Sequence, residues 1–168
     1  MSHPNDQIDI SRIEPLRTQS YPDIPVGSRA NDGDWLQVVP GERFKVRASS
    51  DETNGRYSVL ELVAAPGCGP PLHIHQDEDE HFVVLEGTVC FVCGDRTFDA
   101  TAGTALTVPK GVRHTWANLS ESDVRMLAAF APGGFERCFH ELAGAAADEF
   151  EAIVTAHGCL IVGPPISR

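Results

Sequence analysis

The chain has 168 residues, a mass of 18.2 kDa and a formal net charge of -11. This length predicts one domain with a hydrophobic core of its own. The negative charge, with no run of Lys or Arg, disfavours nucleic acid and anionic membranes as partners. Residues 1–20 have no apolar stretch like that of a secretory signal, no segment approaches a membrane-spanning length, and the five cysteines lack the spacing of a disulfide framework. We therefore expect a cytoplasmic protein.

Residues 1–33 are polar and contain four prolines, which predicts an irregular N-terminal arm. From residue 34 onward, short apolar runs alternate with Pro, Gly, Asn and Ser, a pattern that predicts about nine strands in an antiparallel sandwich or barrel. The strand candidates are WLQVV, RFKVRA, RYSVLELVA, HFVVL, TVCFV, RTFDA, ALTV, HTWAN and VRMLAAFA.

The end of the chain has a different pattern. Residues 135–142 and 147–156 carry apolar side chains at helical spacing, which predicts two helices outside the barrel. We therefore predict three parts: an arm at residues 1–33, a barrel at 34–131 and a C-terminal helical segment at 132–168, packed on the barrel.

Four potential metal ligands lie in the middle of the chain: His73, His75, Glu80 and His114. Side chains two apart on a strand share a face about 6.6–6.8 Å apart along the chain, so the first two imidazoles can converge on one ion. The polar QDED segment predicts a hairpin that returns Glu80 towards them, and His114 would complete the site from a distant strand. Glu78 is a rival for Glu80, since both have the same strand parity.

Glycines frame these residues at fixed spacings. Five residues separate Gly67 from His73, four separate His75 from Glu80, and six separate Glu80 from Gly87. The second segment, AGTALTVPKGVRHTWAN, has a comparable frame of glycines and a proline around its histidine. These two segments resemble the two motifs of the cupin superfamily. The sequence around them is most similar to that of the quercetinase-like single-domain cupins.

The resemblance implies an all-β fold, the cupin-type double-stranded β-helix (jelly-roll barrel), here with C-terminal helices, and a metal site. It also favours a homodimer, as does HFVVL, which is apolar on both faces and so needs a second cover outside the barrel. It does not specify a reaction, because one fold supports many functions.

The ligand chemistry predicts one divalent transition metal ion, which could be Fe, Mn, Ni, Cu, Co or Zn. Our preferred hypothesis is a metal-dependent dioxygenase-like enzyme acting on an apolar, aromatic or enediol-type small molecule, with Glu80 as the catalytic base. The alternatives are a Lewis-acid isomerase or lyase, and a cupin that binds a metal and a small molecule without turnover.

The pocket is predicted from strand parity. Phe82 and Val84 share the parity of Glu80, Trp116 shares that of His114, and Phe91 belongs to a further wall. An apolar pocket with a few polar groups is typical of small-molecule sites. Glu61 is a second acid/base candidate only if its face of the RYSVLEL strand points inward, which the sequence leaves open.

Overall fold

The computed structural model describes residues 34–167, so the predicted arm at residues 1–33 lies outside the described residues. Within that range the chain forms eleven β-strands and two α-helices. The strands are β1 (Leu36–Val39), β2 (Glu42–Ala48), β3 (Ser58–Ala64), β4 (Leu72–His75), β5 (Asp79–Glu86), β6 (Thr88–Cys93), β7 (Arg96–Thr101), β8 (Ala105–Val108), β9 (His114–Ala117), β10 (Val124–Ala131) and β11 (Cys159–Gly163). The helices are α1 (Glu136–Leu142) and α2 (Phe150–Ala156), with a 3₁₀ turn at Ala147–Glu149.

The strands form two antiparallel sheets. The six-stranded sheet has the order β1-β2-β3-β10-β5-β8, and the five-stranded sheet has the order β11-β4-β9-β6-β7. From β3 to β10 the chain passes repeatedly from one sheet to the other, the connectivity of a jelly roll. The predicted all-β fold is therefore confirmed, and each of the nine predicted strand segments contains a strand.

Alternation of side chains explains how each sheet contributes to the core. On β10, Val124, Met126, Ala128 and Phe130 are buried while the residues between them are partly exposed. β5 follows the same rule and buries Phe82, whose removal from water stabilises the fold by roughly 1.5–3 kcal/mol. The inward positions of both sheets share a single hydrophobic core.

The turn between β5 and β6 consists of one residue, Gly87. Its φ is +82°, a value that residues with a Cβ atom rarely adopt. A Cβ atom added there would lie 2.8 Å from a methyl group of Val124, so the turn needs glycine for two reasons. The sharp turn takes the chain from the six-stranded sheet to the five-stranded one.

The C-terminal segment contains both predicted helices and also a strand that the sequence analysis did not predict. Phe139 of α1 packs on Phe44 of β2, with ring centroids 4.5 Å apart. After α2 the chain forms β11, which pairs antiparallel with β4 at Cys159↔His75 and Ile161↔His73. The segment is thus joined to the barrel by backbone pairing as well as by side-chain packing.

No helix between residues 34 and 167 has the length and apolar character needed to cross a membrane. All five cysteines are free thiols. Cys90 and Cys93 lie three residues apart on β6, so their side chains point to opposite faces and do not form a chelating pair.

Candidate metal centre

The four candidate ligands meet inside the barrel. Their ligand atoms all lie within 4.8 Å of one another, and all four residues are buried. His73 and His75 come from β4, Glu80 from β5 and His114 from the start of β9. β4 pairs with β9 at His73↔His114, so this backbone register holds two of the imidazoles side by side.

The carboxylate reaches the group by a different path from the predicted one. β4 belongs to the five-stranded sheet and β5 to the six-stranded sheet, so the predicted hairpin at residues 76–79 is wrong. Residues 76–78 instead connect the two sheets, and Asp79 already belongs to β5. Glu80 then takes an inward position of β5, level with Phe130 of β10 and Val108 of β8, where the neighbouring inward residues are apolar.

Hydrogen bonds orient two of the imidazoles. The Nδ1 atom of His73 lies 2.7 Å from the carbonyl oxygen of Pro71, and that of His114 lies 3.0 Å from the carbonyl oxygen of Val112. A carbonyl only accepts, so both Nδ1 atoms carry hydrogen. The Nε2 atom of each ring is therefore the nitrogen left free to bind an ion.

The Oε2 atom of Glu80 faces two imidazoles. It lies 2.8 Å from Nε2 of His114 and 3.3 Å from Nε2 of His75. With hydrogen on Nδ1, a neutral His114 would direct the Nε2 lone pair at the carboxylate, which is also an acceptor. A proton or a cation has to lie between them. Three imidazoles and a carboxylate are a donor set that suits a divalent transition ion, so the residues fit such a metal.

The electrostatics of the group follow from burial and from these contacts. Burial lowers the pKa of the His73 imidazole to about 4, and the neighbouring His114 adds to the effect. Burial opposes the ionised form of Glu80, but the hydrogen bonds from His114 and His75 outweigh it and bring the pKa of Glu80 below its usual value. Burial also opposes the charged form of His114, yet the hydrogen bond to Glu80 raises the pKa of His114.

A cavity of about 130 Å³ opens beside this group. That volume is well above the roughly 10–15 Å³ that one water molecule needs, so a small organic molecule has room. His73, His75 and Glu80 line it, together with Phe82 and Trp116.

Two of the predicted pocket residues lie elsewhere. Val84 and Phe91 are fully buried in the core but do not line the cavity. Val84 shares the inward face of β5 with Phe82 but lies two residues farther along the strand from Glu80. The ring of Phe91 packs between Phe82, 5.2 Å away, and Phe98, 5.9 Å away. Shared parity therefore placed Val84 inside the barrel without placing it at the cavity, and Phe91, predicted as part of a further wall, belongs to the core.

Glu42 is a cavity residue that the sequence analysis missed. It is 6% exposed, and it is the one carboxyl group lining the cavity, among the described residues, outside the candidate ligand group. Burial raises the pKa of Glu42 to about 7, against the effect of a hydrogen bond from the Gly69 backbone. Its parity with the inward-facing Phe44 was the available signal, but the predicted strand began one residue later, at Arg43.

The question left open for Glu61 has a clear answer. Its neighbours Leu60 and Leu62 line the cavity, so Glu61 points to the opposite face of β3. There its carboxylate pairs with Arg47 and with Arg125, whose Nε atom lies 2.5 Å from Oε1. Glu61 is therefore not an acid or base for the cavity.

Glu78 and Glu80 lie on different sides of the same imidazole. The Oε2 atom of Glu78 is 3.8 Å from Nδ1 of His75, whereas that of Glu80 is 3.3 Å from Nε2. Glu78 does not join the group of four mutually close ligand atoms. Asn118, at the end of the second motif, has a structural role: its amide donates to the carbonyl oxygens of Ala64 and Ser122.

Comparisons with known proteins agree with this architecture. Residues 60–130 match the family described as Cupin domain. KdgF from Halomonas sp. has a similar structure, with a TM-score of 0.59 and 20% identity over 65% of this chain and 94% of that one. A predicted oxalate decarboxylase from Thermotoga maritima has a TM-score of 0.54 and 19% identity over 59% and 90% of the two chains. The family match is confined to residues 60–130 of the chain, and at these identities the similar structures show the fold alone.

A curated relative matches over a short segment. Mannose-1-phosphate guanylyltransferase 2 of Escherichia coli O157:H7 is 35% identical over 63 residues, which are 38% of this chain and 13% of that protein. The match thus covers a small part of the relative and does not transfer that protein's activity.

Proposed function

We propose that the protein is a metal-dependent small-molecule enzyme that resembles the quercetinase-like cupins and acts as a dioxygenase on an aromatic or enediol-type substrate. One observation carries the proposal: His73, His75 and Glu80, three members of the buried group that His114 completes, line an otherwise largely apolar cavity. The cavity can exclude water, and the group can hold an ion beside a bound molecule. A redox-active ion held there would supply both a Lewis acid and a reaction partner for O2.

The chain's own residues have distinct roles in this proposal. Phe82, Phe130 and Trp116 provide apolar and aromatic walls that favour a flat substrate. Glu80 is the candidate base, because its carboxylate is the ionised group nearest to any hydroxyl directed at the ligand group. Oε2 of Glu80 lies 3.3 Å from Nε2 of His75 and 2.8 Å from Nε2 of His114, so a cation held between these atoms would keep the carboxylate ionised.

Glu42 narrows the substrate class further. In the strand register, Glu42 pairs with Ala64, which pairs with Val124 of β10. Glu80 pairs with Phe130, which also pairs with Ser58 and lies six residues after Val124 on β10. The cavity therefore has a carboxyl group at a distance from the ligand group. We infer a substrate that presents an enediol or hydroxyl group to the ion and a second hydrogen-bonding group to Glu42.

The direct experiment measures oxygen uptake. The protein is prepared without metal, loaded separately with Fe, Mn, Ni, Cu, Co or Zn, and incubated with flavonols and with simpler enediols. We expect uptake with at least one redox-active ion and none with His75→Ala. Absence of uptake with every ion and substrate would contradict the oxygenase proposal. Anaerobic conversion of the same compounds, strongest with zinc, would favour the Lewis-acid isomerase or lyase instead.

We also propose a homodimer in the cytoplasm. The outward side chains of β5 and β10 include Val83 and Leu127, which are paired neighbours and only half-buried. A second copy could cover this apolar face, and five free thiols fit a reducing compartment. Light scattering should give twice the 18.2 kDa mass of one chain. A single-chain mass at micromolar concentration would contradict the dimer.

A further inference from the structure

The three imidazoles of the ligand group differ in the hydrogen-bond partner of Nδ1, the ring nitrogen that faces away from the centre. Backbone carbonyls accept from Nδ1 of His73 and from Nδ1 of His114. The Nδ1 atom of His75 is buried and has no hydrogen-bond partner. A buried, unpaired donor costs roughly 1–3 kcal/mol, so this exception needs a physical reason.

A second unpaired buried atom lies opposite it. Oε2 of Glu78 also has no hydrogen-bond partner, and it is 3.8 Å from Nδ1 of His75. Glu78 is 8% exposed although it lies between two exposed aspartates, Asp77 and Asp79. The distance exceeds that of a hydrogen bond by less than 1 Å, and a small rotation of the Glu78 side chain would close it.

The surroundings of His75 restrict it to this partner. Its ring makes edge contacts with Phe135, 4.4 Å away, and Phe130, 5.4 Å away. Backbone pairing of β4 with β11 at Cys159 fixes the position of the residue. These contacts leave Nδ1 without a backbone acceptor of the kind that serves the other two rings.

We propose that Glu78 is a positioning residue, whose carboxylate accepts a hydrogen bond from Nδ1 of His75 when Nε2 of the same ring binds the ion. This inference rests on the proposed metal binding. An imidazole that binds through Nε2 carries its hydrogen on Nδ1, and a carboxylate acceptor fixes that tautomer, orients the ring and makes it a stronger ligand. The two rival carboxylates thus have different roles: Glu80 belongs to the ligand group and Glu78 supports one of its rings.

The experiment uses zinc alone as the probe and needs no substrate. Zinc affinity is measured by competition with a chelator for the wild type, Glu78→Ala, Glu78→Gln and the control Asp77→Asn. Asp77 is the exposed neighbour, so its variant loses the same charge from the same loop. We expect Glu78→Ala to lower the affinity roughly 10–100-fold, Glu78→Gln to lower it less because its amide oxygen still accepts, and Asp77→Asn to leave it near the wild-type value.

A spectroscopic readout separates positioning from a general loss of structure. In zinc-loaded protein with ¹⁵N-labelled histidine, the Nδ1 hydrogens of the three ligand rings give separate resonances. Glu78→Ala should shift the resonance of His75 and speed its exchange with water, while those of His73 and His114 stay unchanged. The unaffected rings serve as internal controls for the fold, and Glu78→Gln provides the same test if the alanine variant does not fold.

The outcomes distinguish the two proposals. A wild-type protein that binds neither zinc nor another divalent transition ion would overturn the metal site and this inference together. A wild type that binds zinc, with Glu78→Ala showing the same affinity and the same His75 resonance, would overturn only the role of Glu78. Equal losses in Glu78→Ala and Asp77→Asn would also overturn it, because loop charge would then explain the effect.

Discussion

Glu80 and Glu42 occupy comparable positions at two ends of one cavity. The pKa of Glu80 is lowered from its usual value, whereas the pKa of Glu42 is raised. Both are inward-facing residues on the six-stranded sheet, and both are at most 6% exposed. The imidazoles of His114 and His75 face Glu80 and hold its pKa below the usual value despite burial. Glu42 has a backbone N–H as its partner, and burial raises its pKa to about 7. Burial alone therefore does not decide ionisation, because the neighbouring groups do.

The difference assigns different chemistry to the two ends. An ionised carboxylate among imidazoles can bind a cation or accept a proton, whereas a carboxyl group that is partly protonated near neutral pH can donate a hydrogen bond as well as accept one. A ligand that spans the cavity would thus meet an ionised end and an end that is only partly ionised near neutral pH.

Removing one imidazole of the ligand group should abolish tight metal binding. His75→Ala deletes one of the four candidate ligands, and we expect zinc affinity to fall by more than the roughly 10–100-fold typical of losing an outer hydrogen-bond partner. Metal content after dialysis and chelator competition measure the loss. His81→Ala is the matched control, because that ring points away from the group and lies 2.7 Å from the Thr107 hydroxyl. Full metal retention by His75→Ala would show that the four residues do not form the site.

Replacing Glu42 by the neutral glutamine should change how the stability of the protein depends on pH. The folded-state pKa of Glu42, about 7, exceeds the unfolded value of 4.5, so the folded state binds the proton more tightly. Its contribution is present below pH 4.5 and is lost as the pH rises through 7. The difference corresponds to about 3 kcal/mol of unfolding free energy. Urea unfolding of the wild type and Glu42→Gln should show the variant gaining stability relative to the wild type between pH 5 and pH 8. A pH-independent difference would contradict the raised pKa.

Replacing Glu80 by glutamine should lower the unfolding free energy of the metal-free protein. Glu80→Gln removes the charge that Nε2 of His114 and Nε2 of His75 face, and it leaves these buried groups poorly paired. We expect the metal-free protein to lose about 1–3 kcal/mol of unfolding free energy at pH 7. Urea denaturation with and without a chelator measures this. If the stability of Glu80→Gln relative to the wild type rose between pH 5 and pH 8, as expected for Glu42→Gln, the two carboxyl environments would be equivalent.

Replacing Glu61, whose carboxylate points out of the barrel, should leave both ends of the cavity unchanged. Glu61→Gln weakens the pairs with Arg47 and Arg125 on the other face of β3, whose arginine side chains are partly exposed. We expect a loss of about 1 kcal/mol or less and no change in zinc affinity. The variant is also the charge-matched control for Glu42→Gln and Glu80→Gln. A large drop in zinc affinity would indicate that the two faces of the sheet are coupled.

Local patterns in the sequence were sufficient where only strand alternation mattered. His73 and His75 share a face because they are two residues apart, and the same parity placed Phe82 and Trp116 at the cavity. Alternation left Glu61 undecided, because it offers two faces without saying which one is inside. Here the cavity-lining neighbours Leu60 and Leu62 decide the matter, and only the assembled fold reveals them.

Pairing between distant strands was beyond local patterns. The QDED segment has the polarity of a hairpin, but β4 and β5 find partners in different sheets, so the turn became a connection. β11 was missed because CLIVG is a short apolar run after a helix, and its partner β4 lies more than eighty residues earlier. Glu42 lies one residue before the predicted strand, which begins at Arg43, so strand parity did not include it.

The pairing of β11 with β4 links the order of synthesis to the completion of the site. The strand that carries His73 and His75 receives its second neighbour only when residues 159–163 are present. A nascent chain that ends before them has every candidate ligand but an open edge beside two of the imidazoles. An ion that needs the finished geometry would therefore enter after β11 has been translated, and removing β11 would loosen the candidate ligand group although every ligand lies far upstream.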